Sequence, residues 1–435
     1  MTRTLSRTHD SHLFIRRVLL LIAAWVCLIP AAFAGEWQGN LSLEGNVFPS
    51  SPYDPDQLGH ASWSVSGEAE YAHEWPESKA QLVFTPYGRW DPYDEERTHL
   101  DIRKLYWMKA SERYELRLGI QQVFWGVTES MHLVDIINQM DMADDISGDR
   151  KLGQPMANLT LVNPWGNLDF YVMPGFRRRT LSGEHGRFRT PVPVTHEHYY
   201  EADNESMHVD LAARYSHYFG SWDIAISQFS GTSRSPRFLP QVLGYTFPPE
   251  GTFSLSGANI NNFWFDLFRA LPGSKLAPYY DLINQTGVEL QWTGEKLVWK
   301  FEGIWRSGEP RTYAAAVTGF EYPFNSIFKS TKDLYVFLEY IWDSRGRESY
   351  SLFQNDIFVG GRLAFNDTQS TTVQAGWIID PESGGIVTSL QADRRLREDL
   401  KLAVELRMFS GISADSLLTF VRKDDLVRAE LTWYF

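Results

Sequence analysis

Cysteine is nearly absent from this 435-residue sequence, in which Cys27 is the only one. A disulfide framework, the usual support of small exported domains, is therefore excluded. Residues 35–435 also lack a run of about 18 consecutive apolar residues, the length that indicates a transmembrane helix. The G-x-S-x-G and H-E-x-x-H motifs, the Walker loop and the dinucleotide fingerprint are missing. The sequence thus predicts neither an enzyme nor a cofactor.

Residues 1–34 have the organisation of a signal peptide. Arg16 and Arg17 precede an apolar run that ends on Ala32-Phe33-Ala34, which fits a charged region, a hydrophobic region and a small-residue cleavage site. This pattern predicts cleavage after Ala34 and a mature domain over 35–435. A transmembrane anchor is the alternative, although the run is at the short end for a span.

The charge balance is acidic. The formal net charge is −13, and removing the four arginines and one aspartate of residues 1–34 brings it to −16. This acidity argues against nucleic acid, or an anionic membrane surface, as the main partner. An exported chain of this kind is periplasmic, secreted or located in the outer membrane.

Alternating apolar and polar residues fill much of the mature chain, in segments of about ten residues. In the last segment, 426–435, Val427, Leu431 and Trp433 alternate with Arg428 and Glu430. A soluble sandwich alternates too, but a transmembrane barrel also places charge on the inner face of strand after strand. We count about 18 strands, within a range of 16 to 20. Every second connection is short, as expected for periplasmic turns, and the others are long, as expected for extracellular loops. The predicted fold is therefore all-β, a transmembrane antiparallel up-and-down β-barrel.

Together with this pattern, two motifs suggest a family resemblance. The closing LTWYF, Leu431 to Phe435, is similar to the aromatic signal that the β-barrel assembly machinery reads, and GIQQVFWG, Gly119 to Gly126, resembles a stretch of uncharacterised porin-like barrels. The chain thus resembles Gram-negative outer-membrane porins. The resemblance implies location in the cell outer membrane, contact with lipid and lipopolysaccharide, and passage of small solutes. Porins are often trimers, but the sequence leaves the oligomeric state open.

The charged face of the strands is predicted to line the lumen, because a charge facing hydrocarbon at the bilayer midplane costs about 2–4 kcal/mol. The arginine candidates are Arg89, Arg103, Arg117, Arg177, Arg214, Arg306, Arg362, Arg407 and Arg428. The strand glutamates are Glu302, Glu405 and Glu430. A salt-bridged, largely closed lumen is the alternative to a wet channel.

Two loops carry further candidates. Residues 129–156 combine apolar residues at helical spacing with the acidic residues Asp141, Asp144 and Asp145, and by position we expect either a constriction folded into the barrel or a helix on the outer rim. Residues 235–282 are predicted to form another long extracellular loop. His196 and His198 make a weak metal-ligand pair, since a lone His-x-His is more often a solvated loop.

These features favour a channel that lets small polar or amphipathic solutes diffuse through a charged lumen. The alternative is a largely closed barrel that binds solute or serves export with a periplasmic or inner-membrane partner. A barrel hydrolase using His196, His198 and Asp144 is a third and weaker hypothesis.

Overall fold

A computed structural model describes residues 35–190, 192–249, 263–414 and 416–435. The predicted signal peptide, residues 1–34, lies outside the described residues. Eighteen strands form one sheet. They are β1 (Glu36–Val47), β2 (Ala61–Trp75), β3 (Ala80–Trp90), β4 (His99–Ala110), β5 (Tyr114–Gln121), β6 (Gln154–Asn163), β7 (Gly166–Pro174), β9 (Val209–Phe219), β10 (Trp222–Thr232), β14 (Leu282–Thr293), β15 (Val298–Ser307), β16 (Tyr313–Phe324), β17 (Asp333–Asp343), β18 (Asn355–Ala364), β19 (Thr372–Ile379), β20 (Ile386–Arg397), β21 (Leu400–Ser410) and β22 (Leu426–Tyr434).

The sheet closes on itself. β1 pairs antiparallel with β2 on one side and with β22 on the other. Next to the last pair, the backbone N–H groups of Gly39 and Phe435 each donate to the other residue's carbonyl at 3.0 Å. Closure leaves no sheet edge with unpaired backbone groups. The predicted fold class, an antiparallel β-barrel of about 18 strands, is confirmed.

The two faces of the barrel wall differ as the alternation predicts. On β17, Glu339 and Ile341 point inward and are buried, whereas Leu338, Tyr340 and Trp342 point outward and are exposed. Exposed aromatic side chains gather near the ends of several strands, among them Trp75, Trp165, Trp222, Phe324 and Trp433. An apolar outer band with aromatic ends is typical of barrels that sit in lipid.

The two rims are unequal. Between the strand bounds given above, the connections on one rim have two to eight residues, and we call it the short-turn rim. On the other, the long-loop rim, they have five to 49 residues. The longest are 122–153, 175–208 and 233–281.

A second, small sheet belongs to the long-loop rim. Its strands are β8 (Tyr199–Tyr200), β11 (Arg237–Val242), β12 (Tyr245–Thr246) and β13 (Ser274–Tyr280), and the helix α1 (Phe263–Ala270) precedes β13. The predicted loop 235–282 therefore carries strands of its own, which stay outside the barrel wall. Among the described residues, no helix is long and apolar enough to cross a membrane.

One predicted strand is wrong in detail, and one of the two alternatives for residues 129–156, a helix, is not formed. The alternation predicts a strand over 113–125, but β5 ends at Gln121 because the chain then turns into the barrel. The helical spacing of apolar residues around Val134 and Ile137 produces no helix, only turns and short bridges. Both side chains are fully buried, so this spacing reflects packing against the inner wall.

Candidate functional site: the lumen and its inner segment

Residues 122–153 lie inside the barrel, and we call them the inner segment. Glycines on both sides of the point where the segment begins permit the turn away from the wall. Gly119 has φ +129°, and a Cβ there would lie 2.1 Å from the carbonyl oxygen of Leu105. Gly126 has φ +132°, a conformation that residues with a side chain rarely adopt. The chain thus leaves the wall within the GIQQVFWG motif.

The first half of the inner segment packs against the inner wall through apolar contacts. Trp125, Val134 and Ile137 are 3%, 0% and 0% exposed and belong to one buried cluster. The Trp125 ring meets Tyr171 of β7 edge-on, with ring centroids 5.6 Å apart. The wall also contributes Phe229 of β10 to this cluster. Burial of this surface fixes the segment to the β7–β16 side.

Glutamates of the wall anchor the backbone of the same half. Glu302 of β15 accepts from the N–H groups of Val127 at 2.7 Å and of Thr128 at 3.0 Å, and from the Thr128 hydroxyl at 2.7 Å. Glu339 of β17 accepts from the N–H groups of Glu129 and Ser130, both at 2.8 Å. Each carboxylate therefore satisfies backbone donors that the segment cannot pair within itself.

The second half of the segment is acidic and meets the opposite wall. Asp144 lies 2.5 Å from Nε of Arg89, on β3. Asp141 accepts from Arg103, on β4, at 2.7 Å. Asp145 lies 3.7 Å from Arg428, on β22. The three acidic residues singled out in the sequence thus meet three of the predicted lumen arginines.

Asp141 has the densest set of partners. Besides Arg103, it contacts His99 Nε2 at 3.2 Å and accepts from the Thr180 hydroxyl at 2.6 Å. Burial opposes ionisation of this carboxyl, but the contacts with His99, Arg103 and Thr180 outweigh it and hold the pKa of Asp141 well below its usual range. The carboxylate is therefore charged across the physiological range, as the Arg103 contact requires.

These contacts show that the inner segment crosses the lumen. Its glutamate anchors are on β15 and β17, and its arginine anchors are on β3, β4 and β22. Around the eighteen-strand ring, β15 and β3 are eight strands apart, close to the maximum of nine. The segment is thus a bridge between nearly opposite walls.

One part of the wall is not covered by the inner segment. We call the inward face of β18–β21 the hydrated wall. Gln374 of β19 and Gln391 of β20 point inward and are exposed, and Arg362 and Arg407 are half-buried. We call the walls that contact the inner segment the filled side, and there, by contrast, the inward residues Ser227, Gln285 and Ile304 are buried. Water therefore reaches the hydrated wall, which leaves space between it and the inner segment.

The remaining predicted lumen residues are mostly in ion pairs. Arg214 binds Glu289 through two hydrogen bonds, at 2.9 and 2.8 Å. The other arginine–carboxylate pairs are Arg117–Glu115, Arg177–Asp101, Arg306–Glu309, Arg407–Glu405 and Arg428–Glu405. Glu430 accepts from the Thr432 hydroxyl at 3.1 Å. Among the nine predicted lumen arginines, only Arg362 makes no ion pair with a carboxylate of the described residues.

The histidine pair has a different setting. His196 is exposed on the long-loop rim with Glu96 3.6 Å away, and His198 Nδ1 lies 3.1 Å from the Arg178 guanidinium. The described part of the chain contains no cluster of three or more His, Cys, Asp or Glu side chains able to hold a metal ion. Asp144 is buried in the lumen, and no contact connects it with either histidine in the described ranges.

Three residues that the sequence did not single out are central to the arrangement. Asn138 ties the segment to its own ends, since its amide donates to the carbonyls of Gln121 and Leu152. Arg234 donates to the carbonyl of Ile137 at 2.9 Å. Polar residues in a loop carry no periodic signal, so the sequence gives no indication of these contacts.

The third, Arg187, joins the loops of the long-loop rim. Its guanidinium donates to Asp424 at 2.6 Å and to the carbonyls of Gly59 and Lys423. Burial raises the pKa of Asp424, although the contact with Arg187 opposes this. Three connections, 48–60, 175–208 and 411–425, are thereby tied together at the long-loop rim.

Comparison with known proteins gives structural similarity only. No family model matches the chain, and no curated protein matches it. A BenF-like porin from Pseudomonas fluorescens Pf-5 is 10% identical, with a TM-score of 0.49 over 92% of this chain and 98% of that one. Wzi, an Escherichia coli outer membrane protein involved in group 1 capsule assembly and described as a carbohydrate-binding β-barrel, is also 10% identical, with a TM-score of 0.49 over 90% of this chain and 83% of that one.

OccAB3 from Acinetobacter baumannii is 8% identical, with a TM-score of 0.48 over 92% of this chain and 99% of that one. Similarity at this level supports no inference about solute or partner. The class of the fold rests on the closed ladder of strands, which defines an eighteen-strand antiparallel barrel.

Proposed function

We propose that this protein is an outer-membrane channel through which small polar or amphipathic solutes diffuse without catalysis. The observation that carries the proposal is the hydrated wall, where inward side chains stay accessible to water although they face the centre of the barrel. Barrels of 16 or more strands leave an aqueous lumen unless something fills it. Here the inner segment fills the lumen where it contacts the wall and leaves the inward face of β18–β21 open to water.

The outer surface supports location in the outer membrane. Outward residues such as Leu43, Ile226 and Trp305 are exposed, at 51%, 53% and 60%. Such apolar exposure fits contact with lipid, which the barrel can tolerate because all its strands are paired. We further propose lipopolysaccharide as a contact of the long-loop rim, and the β-barrel assembly machinery as the partner that recognises the terminal aromatic strand.

Conductance in planar lipid bilayers tests the channel directly. The purified protein should insert and give stable ion currents, with weak ion selectivity because most lumen charges are paired. A folded barrel that conducts no ions at any voltage would contradict the proposal.

A largely closed binding or export component is the second candidate. The inner segment is fixed at both ends by buried contacts, and Arg187 ties three loops together at the long-loop rim. These features favour closure. Absence of current, together with recovery of a specific periplasmic or inner-membrane protein in pull-downs from membranes, would favour this candidate.

A further inference from the structure

Arg362 differs from the other predicted lumen arginines in the kind of group that holds it. Its guanidinium carbon lies 4.8 Å from the ring centroid of Tyr335 and 5.9 Å from that of Phe337, both on β17. Stacking on aromatic faces restrains a guanidinium without neutralising its charge. Its N–H donors make no hydrogen bond and no ion pair within the described residues, so they remain free for a ligand.

The neighbouring strand presents a second free polar group. Gln374 of β19 is directly opposite Arg362 in the ladder, so its side chain points into the lumen beside the guanidinium. Gln374 is exposed, and its amide makes no hydrogen bond within the described part of the chain. A planar cation and an amide donor thus stand side by side, facing water.

On the side toward the long-loop rim, small residues let an aromatic ring lie beside this pair. Gly360 and Gly376 face each other in the ladder. Each lies two residues from Arg362 or Gln374 and therefore on the same, inward face. The Phe358 ring lies against both glycines, because a Cβ at either position would come within 2.7 or 2.8 Å of it. An aromatic surface next to the polar pair results, and it forms part of the hydrated wall.

We propose that Arg362 and Gln374 form a binding subsite for a small carboxylate with an apolar body, which rests against Phe358. A guanidinium presents a planar fork that matches a carboxylate with two parallel hydrogen bonds. The amide of Gln374 donates a further hydrogen bond to the same group. The inference rests on the proposed channel, since the solute must reach the lumen.

Equilibrium dialysis of the detergent-purified barrel tests the subsite without requiring conduction. The probes are phenylacetate and 2-phenylethanol, which share an apolar body and differ in the carboxylate. We expect the protein to bind phenylacetate about tenfold more tightly than 2-phenylethanol, the size of effect typical of one charge-assisted contact. Equal affinity for the two probes would overturn the proposal.

Variants of Arg362 distinguish the contribution of the planar guanidinium from that of its positive charge. Arg362→Gln should remove the preference for phenylacetate. Arg362→Lys keeps the charge but loses the planar fork, so most of the preference should also disappear. Arg113→Gln, on an exposed short turn, is the control and should bind as the unaltered protein does. Full phenylacetate preference in Arg362→Gln would contradict the assignment.

Bilayer recordings of the same preparation distinguish this inference from the proposed function. In a conducting barrel, phenylacetate should reduce the chloride current, and Arg362→Gln should relieve that reduction. A barrel that conducts but shows no preference for phenylacetate overturns the subsite and leaves the channel standing. A barrel that shows the preference but never conducts supports the subsite and overturns the channel.

Discussion

The filled side of the lumen and the hydrated wall have the same alternating strand pattern, but their inward polar side chains are stabilised differently. On the filled side, buried carboxylates and guanidiniums pair with the inner segment, as Glu302 does with backbone N–H groups and Arg103 does with Asp141. On the hydrated wall, water solvates exposed groups such as Gln391.

The energetic consequences differ accordingly. Removing one partner of a buried ion pair typically costs about 3–5 kcal/mol, because the other charge is left without solvent or partner. The same change at a wetted surface site costs roughly 0–1 kcal/mol. We therefore expect substitutions on the filled side to act on stability and on the position of the inner segment, whereas those on the hydrated wall act on the solute.

The largest effect on stability expected from a single substitution comes from Trp125. Trp125→Ala removes a 3%-exposed ring from the cluster that binds the segment to the wall, and large-to-small changes of this kind cost about 3–5 kcal/mol. Trp377→Ala, on the outer face of β19 and 41% exposed, is the matched control and should cost much less. The temperature at which the folded band is lost on gel electrophoresis measures both. Equal shifts would contradict the difference between the two sides.

Loss of the glutamate anchors should change the current. The double variant Glu302→Ala, Glu339→Ala leaves the N–H groups of residues 127–130 without acceptors, at a cost of about 1–3 kcal/mol for each unsatisfied group. We expect the segment to detach and single-channel conductance to rise about twofold as the lumen widens. The control is Glu115→Ala, because Glu115 pairs with Arg117 on the wall. An unchanged conductance in the double variant would show that the segment stays in place without these anchors.

A smaller, pH-dependent effect is expected at His132, whose Nδ1 lies 3.6 Å from Glu302. Burial disfavours the charged ring, but the nearby Glu302 carboxylate outweighs it, so the pKa of His132 is raised. Because the pKa is raised, protonated His132 stabilises the fold fully at pH values below its unfolded pKa of about 6.5. This stabilisation is lost as the pH rises through the pKa of His132 in the folded protein. Stability of the protein should therefore decline slightly from pH 6 to pH 9. His132→Gln should remove this component of the decline, and an identical profile in the variant would refute the assignment.

The sequence predicts the wall far better than the contents of the lumen. Period-two alternation identifies lipid-facing residues such as Val427 and Leu431, because one face of each strand contacts lipid and the other faces the lumen. It also places Arg103 and Glu302 on the inner face. It does not reveal that Glu302 binds Val127, because that contact joins residues 175 positions apart through a loop without periodicity.

The state of each inner charge is equally invisible in the sequence. Arg407 and Arg362 occupy equivalent inward positions, yet Glu405 neutralises one while Tyr335 stacks on the other. The partner depends on cross-strand register, which a single sequence does not fix. The apolar spacing around Val134 and Ile137 misleads for a related reason, since their backbone is held by wall and loop side chains instead of helical hydrogen bonds.

The most direct test of the hydrated wall uses the absence of cysteine from residues 35–435. Single cysteines are placed at Gln391, on the hydrated wall, and at Ser227, on the filled side, and a charged, membrane-impermeant thiol reagent is added during bilayer recording. We predict that the Gln391→Cys channel is modified and its current falls, whereas the Ser227→Cys channel is not modified. Equal modification of both, or modification of Gln391→Cys with no change in current, would contradict a passage along β18–β21.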